Sequence, residues 1–211
     1  MSQRGHIEFF FDYSSPFAYL GATQVERVAK DNDATVEWTP FLLGALFNSI
    51  GTANVPLFEM PAPKRAHASL DIHRWAAYHE VPFAFPSHFP MNTVKALRMT
   101  LQLQGADRVA LASRVFSAYW AENKNINDTE QLASIASSSG FDGEALLEGC
   151  ANPDVKLALR HTTERAEQVG VCGAPCFLVT PPDSEATYLF WGQDRLEFVA
   201  KVLGGWRPAC G

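Results

Sequence analysis

The chain has 211 residues, of which 47% are apolar and 19% are charged, and its formal net charge is −6. These values are ordinary for a globular protein with a sizeable core. An acidic chain without a basic run is poorly suited to nucleic acid or to an anionic membrane as its main partner, and no apolar segment approaches membrane-spanning length. The start of the chain lacks the apolar core of a secretory signal, so we expect a cytoplasmic protein.

The first part of the chain predicts two parallel strands joined by a helix. Residues 6–11 form an apolar strand, residues 16–32 carry a helical apolar face, and residues 35–39 alternate as a second strand. A connection of this length implies a right-handed crossover. Residues 48–63 hold three prolines and little periodicity, so we expect an irregular connecting loop there.

The middle of the chain contains no convincing strand. Helices are predicted over residues 66–80, 92–104, 107–122, from about 128 onward, 142–150 and 153–168. Strands return at 176–180 and 187–191, and a last helix spans 195–203. The predicted fold class is therefore α/β, a thioredoxin-like βαβ…ββα domain with a large all-helical insertion. We place the thioredoxin-like domain at 1–47 and 170–211, the insertion at 64–169, and the connecting loop at 48–63.

The start of the first helix, at Ser15-Pro16, is the most informative local feature. Proline suits the first helical position, a preceding serine can cap the free N–H groups, and a helix N-terminus favours an anion. Redox thioredoxins carry a CxxC at this position, but residues 14–17 contain no sulfur, so a disulfide oxidoreductase would lack its nucleophile. Ser15 is either only an N-cap or a donor to a bound anion, and Ser14 could share that role.

Six segments, taken in this order, resemble the 2-hydroxychromene-2-carboxylate isomerases, which belong to the kappa-class glutathione transferase group of the DsbA-like thioredoxin superfamily. They are residues 12–20, 40–44, 71–75, 85–92, 170–177 and 191–196. The resemblance implies glutathione as the cofactor, with the Ser15 hydroxyl hydrogen-bonding its sulfur and favouring the thiolate.

The resemblance also implies further glutathione contacts. It implies a cis peptide bond before Pro175, with the backbone of Ala174 pairing with the cysteinyl part of glutathione. It implies that Asp194 binds the γ-glutamyl ammonium while Gln193 adds a contact, although Ser or Asn is more usual in the family at position 193. Two residues of the early part of the chain complete the set, Asn54 by the resemblance and Lys64 as a candidate partner for a carboxylate of cofactor or substrate.

The implied activity is cis–trans isomerisation. The glutathione thiolate would add reversibly to 2-hydroxychromene-2-carboxylate, giving trans-o-hydroxybenzylidenepyruvate, or to a close aromatic analogue. Trp75 and His88 are candidates for the wall of a pocket that holds this small aromatic carboxylate, and Asn92 is a candidate donor to it. The alternatives are a kappa-class glutathione transferase that conjugates electrophiles and a non-catalytic DsbA-like thiol-binding module. The resemblance also implies a homodimer.

We predict no metal site. His67, His73 and His79 are spaced six residues apart, which places successive rings about 240° apart around a helix, on different faces. Cysteines 150, 172, 176 and 210 contain no CxxC, and we interpret them as free thiols. Cys172 and Cys176 could be read as a redox pair or metal ligands, but the extended segment between them favours separate packing.

Overall fold

The computed structural model describes residues 3–53 and 55–208. The strands are β1 Gly5–Phe11, β2 Ala34–Pro40, β3 Cys176–Thr180 and β4 Tyr188–Trp191. The helices are α1 Pro16–Asp31, α2 Leu43–Ile50, α3 Pro56–Glu59, α4 Ala62–Tyr78, α5 Val94–Leu101, α6 Gly105–Trp120, α7 Thr129–Ser137, α8 Gly143–Gly149, α9 Pro153–Gln168 and α10 Leu196–Leu203, with a short 3₁₀ helix Gln193–Arg195 before α10. Among these helices, none is both long and apolar enough to cross a membrane.

The four strands form one mixed sheet in the order β2-β1-β3-β4. The pair β1–β2 is parallel, whereas β3 pairs antiparallel with both β1 and β4. In the part of the chain that the structure describes, the eight helices α2 to α9 lie between β2 and β3. This order confirms the predicted fold class. The boundaries between the thioredoxin-like domain and the insertion stay a prediction.

The core is built around the phenylalanines of β1. Phe9, Phe10 and Phe11 are all fully buried, so both faces of this central strand are covered, as expected for a strand inside a layered α/β fold. The ring of Phe9 stacks on Phe177 of β3 at 5.3 Å and meets the edge of Trp38 of β2 at 4.9 Å. Aromatic contacts therefore tie β1, β2 and β3 together.

The expected irregular loop at 48–63 is partly wrong. Helix α2 reaches Ile50, α3 adds one turn from Pro56, and α4 already begins at Ala62. Proline was read as a breaker, but Pro56 occupies the first turn of α3 and Pro63 that of α4, where a missing N–H costs nothing. Helix α5 is also shorter than predicted and begins at Val94.

Candidate functional site

The Ser15 hydroxyl joins the start of α1 to the segment that precedes β3. Ser15 Oγ accepts a hydrogen bond from the backbone N–H of Ala18 at 3.1 Å, as an N-cap does, and donates one to the carbonyl oxygen of Ala174 at 2.7 Å. Ser15 is 6% exposed. Two segments that are distant in the chain therefore meet at a single hydroxyl group.

The neighbouring Ser14 has a different role. Its backbone N–H donates to Asp12 Oδ1 at 2.9 Å, and Asp12 Oδ2 accepts from the backbone N–H of Leu43 at 2.9 Å. Burial raises the pKa of Asp12, against the lowering effect of these hydrogen bonds and of the Ser14 side chain. Ser14 thus contacts the buried carboxyl group, and of the two serines only Ser15 contacts Ala174.

The turn that carries Ser15 is held rigid by the helical block. Trp120 Nε1 on α6 donates to the carbonyl oxygen of Tyr13 at 2.8 Å, and the Tyr13 hydroxyl lies 2.6 Å from Thr100 Oγ1 on α5. The ring of Tyr13 also meets Phe116 edge-on at 4.8 Å. Helices α5 and α6 therefore fix the position of the residues that lead into α1.

The peptide bond between Ala174 and Pro175 is cis, which confirms the prediction. The Pro175 carbonyl accepts from the backbone N–H of Gly192 at 3.0 Å, so the cis segment is linked to the start of the 3₁₀ helix. A Cβ atom at Gly173 would lie 2.5 Å from Trp191 Nε1. The indole of Trp191 thus packs directly over the backbone of this segment, and Gly173 leaves the space that it needs.

The 3₁₀ helix presents Asp194 at the surface and turns Gln193 inward. Asp194 Oδ2 lies 3.1 Å from Arg195 Nη1, and its side chain is 38% exposed. Gln193 is 3% exposed, and its Oε1 has no close hydrogen-bond partner within the described residues, nor does Nε2 of His79, the residue that follows α4. Burial lowers the pKa of His79, and the Gln193 side chain acts in the opposite direction.

Two cavities open beside these residues. One, of about 610 Å³, lies between α1, α4 and the start of α10, and its lining includes Asp71, Gln193 and Asp194. The other, of about 480 Å³, is lined by Phe17 of α1 and by Lys64 and Asp71 of α4, among others. The structure thus brings Lys64 next to the start of α1, and Asp71 lines both cavities. Asn54 lies outside the described residues.

The three residues predicted for the substrate pocket have different surroundings. Trp75 lines the larger cavity, stacked on His79 at 5.5 Å. His88 is exposed with Nδ1 3.2 Å from Ser87 Oγ, and Asn92 is exposed and accepts from the backbone N–H of Val94 at 3.0 Å. Both polar side chains thus bond within their own loop, and their part in a substrate pocket stays a prediction.

An aromatic cluster lies closer to the Ser15 turn. Phe85 and Phe89 contact the indole of Trp120 with centroids 6.0 Å away, and Phe58 of α3 meets Phe89 at 6.0 Å. Phe58 and Phe85 are 54% and 43% exposed. Phe58 was missed in the sequence because its segment was read as an irregular loop.

The cysteines of the described residues stand apart from Ser15. Cys150, Cys172 and Cys176 are free thiols, and burial raises the pKa of Cys176 to about 12. The described residues contain no cluster that could hold a metal ion. Cys210 lies outside the described residues. At the start of α1, the side chain that bonds Ala174 is therefore the Ser15 hydroxyl and not a cysteine, and the thiol of Cys176, which follows Pro175 in the chain, is buried.

Comparisons with known proteins agree with this arrangement. The family model described as a DSBA-like thioredoxin domain matches residues 6–204. A 2-hydroxychromene-2-carboxylate isomerase of Sphingobium xenophagum is 30% identical over 93% of this chain and 97% of its own length. Human glutathione S-transferase kappa 1 is 27% identical over 94% of this chain and 90% of its own.

Solved structures show the same fold. A 2-hydroxychromene-2-carboxylate isomerase superposes with a TM-score of 0.79 at 23% identity, covering 94% of each chain. The cytosolic disulfide reductase DsbM from Pseudomonas aeruginosa, solved with GSH, gives a TM-score of 0.66 at 13% identity over 94% of this chain and 97% of its own.

Proposed function

This chain belongs to the family of DsbA-like thioredoxin domains, and we propose that it is a glutathione-dependent isomerase. Its substrate would be 2-hydroxychromene-2-carboxylate or a close aromatic analogue, converted to the corresponding trans-benzylidenepyruvate. The observation that carries the proposal is the Ser15 hydroxyl, which sits at a helix N-terminus beside Ala174, at the position where a redox relative would carry a thiol. Its relatives include isomerases and glutathione transferases.

The residues present fit glutathione. Ser15 would turn its single O–H from the Ala174 carbonyl to the sulfur, which would free that carbonyl to pair with the cysteinyl unit, and Asp194 would bind the γ-glutamyl ammonium. Gln193 lines the same cavity as Asp194, so the contact predicted for it stays part of the proposal, although its side chain also interacts with His79. Lys64, beside the start of α1, would bind a carboxylate.

Bound glutathione would supply a thiolate that adds to the conjugated C=C, leaves a rotatable single bond, and is expelled after rotation, with no net redox change. The protein's part is to keep that sulfur ionised. A free thiol has a pKa near 8.5, and a hydrogen bond together with a helix N-terminus would lower it by roughly one to two units. The exposed rings of Phe58 and Phe85 would hold a flat aromatic substrate.

A kappa-class glutathione transferase is the second candidate, favoured by the 27% identity to the human enzyme. It would use the same residues and differ only in releasing the thioether as product. A non-catalytic thiol-binding module is the third. A cytoplasmic location, where glutathione is reduced, and a homodimer are parts of the same proposal.

The experiment compares the purified protein with Ser15→Ala and Ser14→Ala variants. Calorimetry measures glutathione binding, thiolate absorbance against pH measures the pKa of the bound thiol, and turnover is followed with a chromene carboxylate and with an aryl halide. We expect binding and a thiol pKa near 7 in the parent and in Ser14→Ala, and a pKa that returns toward 8.5 in Ser15→Ala. Turnover of the aryl halide alone would favour the transferase. No saturable binding of glutathione would refute all three readings.

A further inference from the structure

A third cavity is lined by residues to which the proposed glutathione site gives no role. It has a volume of about 690 Å³ and opens between α2, α5 and α9. Leu42 and Ala45 line it from the start of α2, Arg98 from α5, and Lys156, Leu157 and Arg160 from α9. Neither Ser15, Lys64, Ala174 nor Asp194 is among its lining residues.

Three cations of this cavity lack an ionic partner. Within the described residues, Arg98, Lys156 and Arg160 form no ion pair with a carboxylate at 4.0 Å or less. Ion pairs of this kind do occur elsewhere in the chain, as between Arg114 and Glu122 at 2.6 Å. Glu164 and Glu167 also line the cavity, and both lie beyond Arg160 on α9. The three cations therefore lie towards the start of α9 and the two carboxylates towards its end.

Arg98 supplies a second, independent observation. Its Nε is buried and has no hydrogen-bond acceptor. An unpaired buried donor costs about 1–3 kcal/mol, and more when it is charged. Buried polar groups almost always have a partner, so a donor of this kind next to an open cavity points to an acceptor that the chain itself does not provide.

We propose that this cavity binds a small organic oxyanion, a carboxylate or a phosphate monoester, on an apolar body. The guanidinium of Arg98 holds the head group, since its planar fork matches the oxygens of both anions. Lys156 and Arg160 flank the head group from α9. The apolar body lies on Leu42 and Leu157, of which Leu157 is 46% exposed.

The test titrates the full chain with 3-phenylpropionate, phenyl phosphate and the neutral 3-phenylpropanol, by calorimetry at low salt. We expect saturable binding of at least one anion at millimolar concentration or below, none of the alcohol, and at least a tenfold weaker affinity in Arg98→Gln. The matched control is Arg4→Gln, because Arg4 is exposed, pairs with Asp33 and does not line this cavity. The affinity of this control variant for the anion should be unchanged. The two anions distinguish a carboxylate site from a phosphate site.

If Arg98→Gln does not fold, the double variant Lys156→Gln and Arg160→Gln replaces it, since both side chains are exposed and their loss should also weaken binding. The inference is overturned if neither anion binds saturably, if the alcohol binds as well, or if the cavity variants bind like Arg4→Gln. Because Arg98 lines neither of the cavities beside the proposed glutathione site, Arg98→Gln should leave glutathione binding intact, so the two proposals fail separately.

Discussion

Replacing Ser15 by alanine should destabilise the fold even in the absence of any ligand. The substitution removes the N-cap bond from Ala18 and the bond to the Ala174 carbonyl. Loss of a serine cap costs about 1 kcal/mol, and a buried carbonyl left without its donor costs about 1–3 kcal/mol. We therefore expect a loss of about 2–4 kcal/mol in the free energy of unfolding.

Urea unfolding followed by circular dichroism measures this loss, with the midpoint and slope fitted separately. Ser14→Ala is the matched control, because it leaves the bonds to Ala18 and Ala174 in place and keeps the backbone N–H bond to Asp12, while it removes the interaction of the Ser14 side chain with Asp12. We expect about 1 kcal/mol for the control, the cost of one hydrogen bond. If Ser15→Ala unfolds within about 0.5 kcal/mol of the parent protein, the hydroxyl does not link α1 to the segment before β3, and the geometry argued for the thiolate also fails.

Three further predictions concern pH, thiol reactivity and packing. The Arg114 hydrogen bond lowers the pKa of Glu122 below its ordinary value of 4.5. The stabilising effect of this pair is therefore present above that pH and is lost as the pH falls through the folded-state pKa. Glu122→Gln should lower the free energy of unfolding by at most about 1 kcal/mol at pH 7, since the pair is partly exposed, and should change nothing in strong acid, as urea melts at both pH values would show. In a Cys210→Ser variant, a thiol reagent should modify only Cys172 in the native state, while Cys150 and Cys176 react only after denaturation. Mass spectrometry of the labelled peptides measures the order, and modification of Cys176 before Cys172 would contradict the prediction. A Cβ atom at Gly143 would overlap the backbone carbonyl of Ala133, so Gly143→Ala should lower the free energy of unfolding by about 3 kcal/mol. A variant that unfolds at the same temperature as the parent protein would refute the tight approach of α7 and α8.

The sequence predicted those features that depend on neighbouring residues. Asp128 and Asp142 cap α7 and α8, and Asn152 caps α9 ahead of Pro153, because a short polar side chain before a helical stretch carries its own signal. The strands of the sheet were located by their apolar runs in the same way. Local chemistry was thus enough for the element order and for the Ser15-Pro16 helix start.

Side-chain direction was the part that could not be predicted. The Gln193 side chain interacts with His79, which follows α4 and is distant in the chain, and nothing in the local sequence around Gln193 indicates this. Asn92 and His88 were expected in a pocket, but each bonds a neighbour in its own loop. Such outcomes depend on which faces of remote elements meet, and a single sequence carries little information about that.

The sheet order also has a consequence for synthesis of the protein. In the finished sheet β1 lies between β2 and β3, and Ile7 pairs with Val179. On a ribosome that pairing has to wait for almost the whole polypeptide, and closing so long a loop is entropically slow. Until residues 176–180 emerge, a phenylalanine-rich edge would stay open, which is the kind of surface that nascent chains aggregate through. Early docking of the helices over that edge would protect the growing chain.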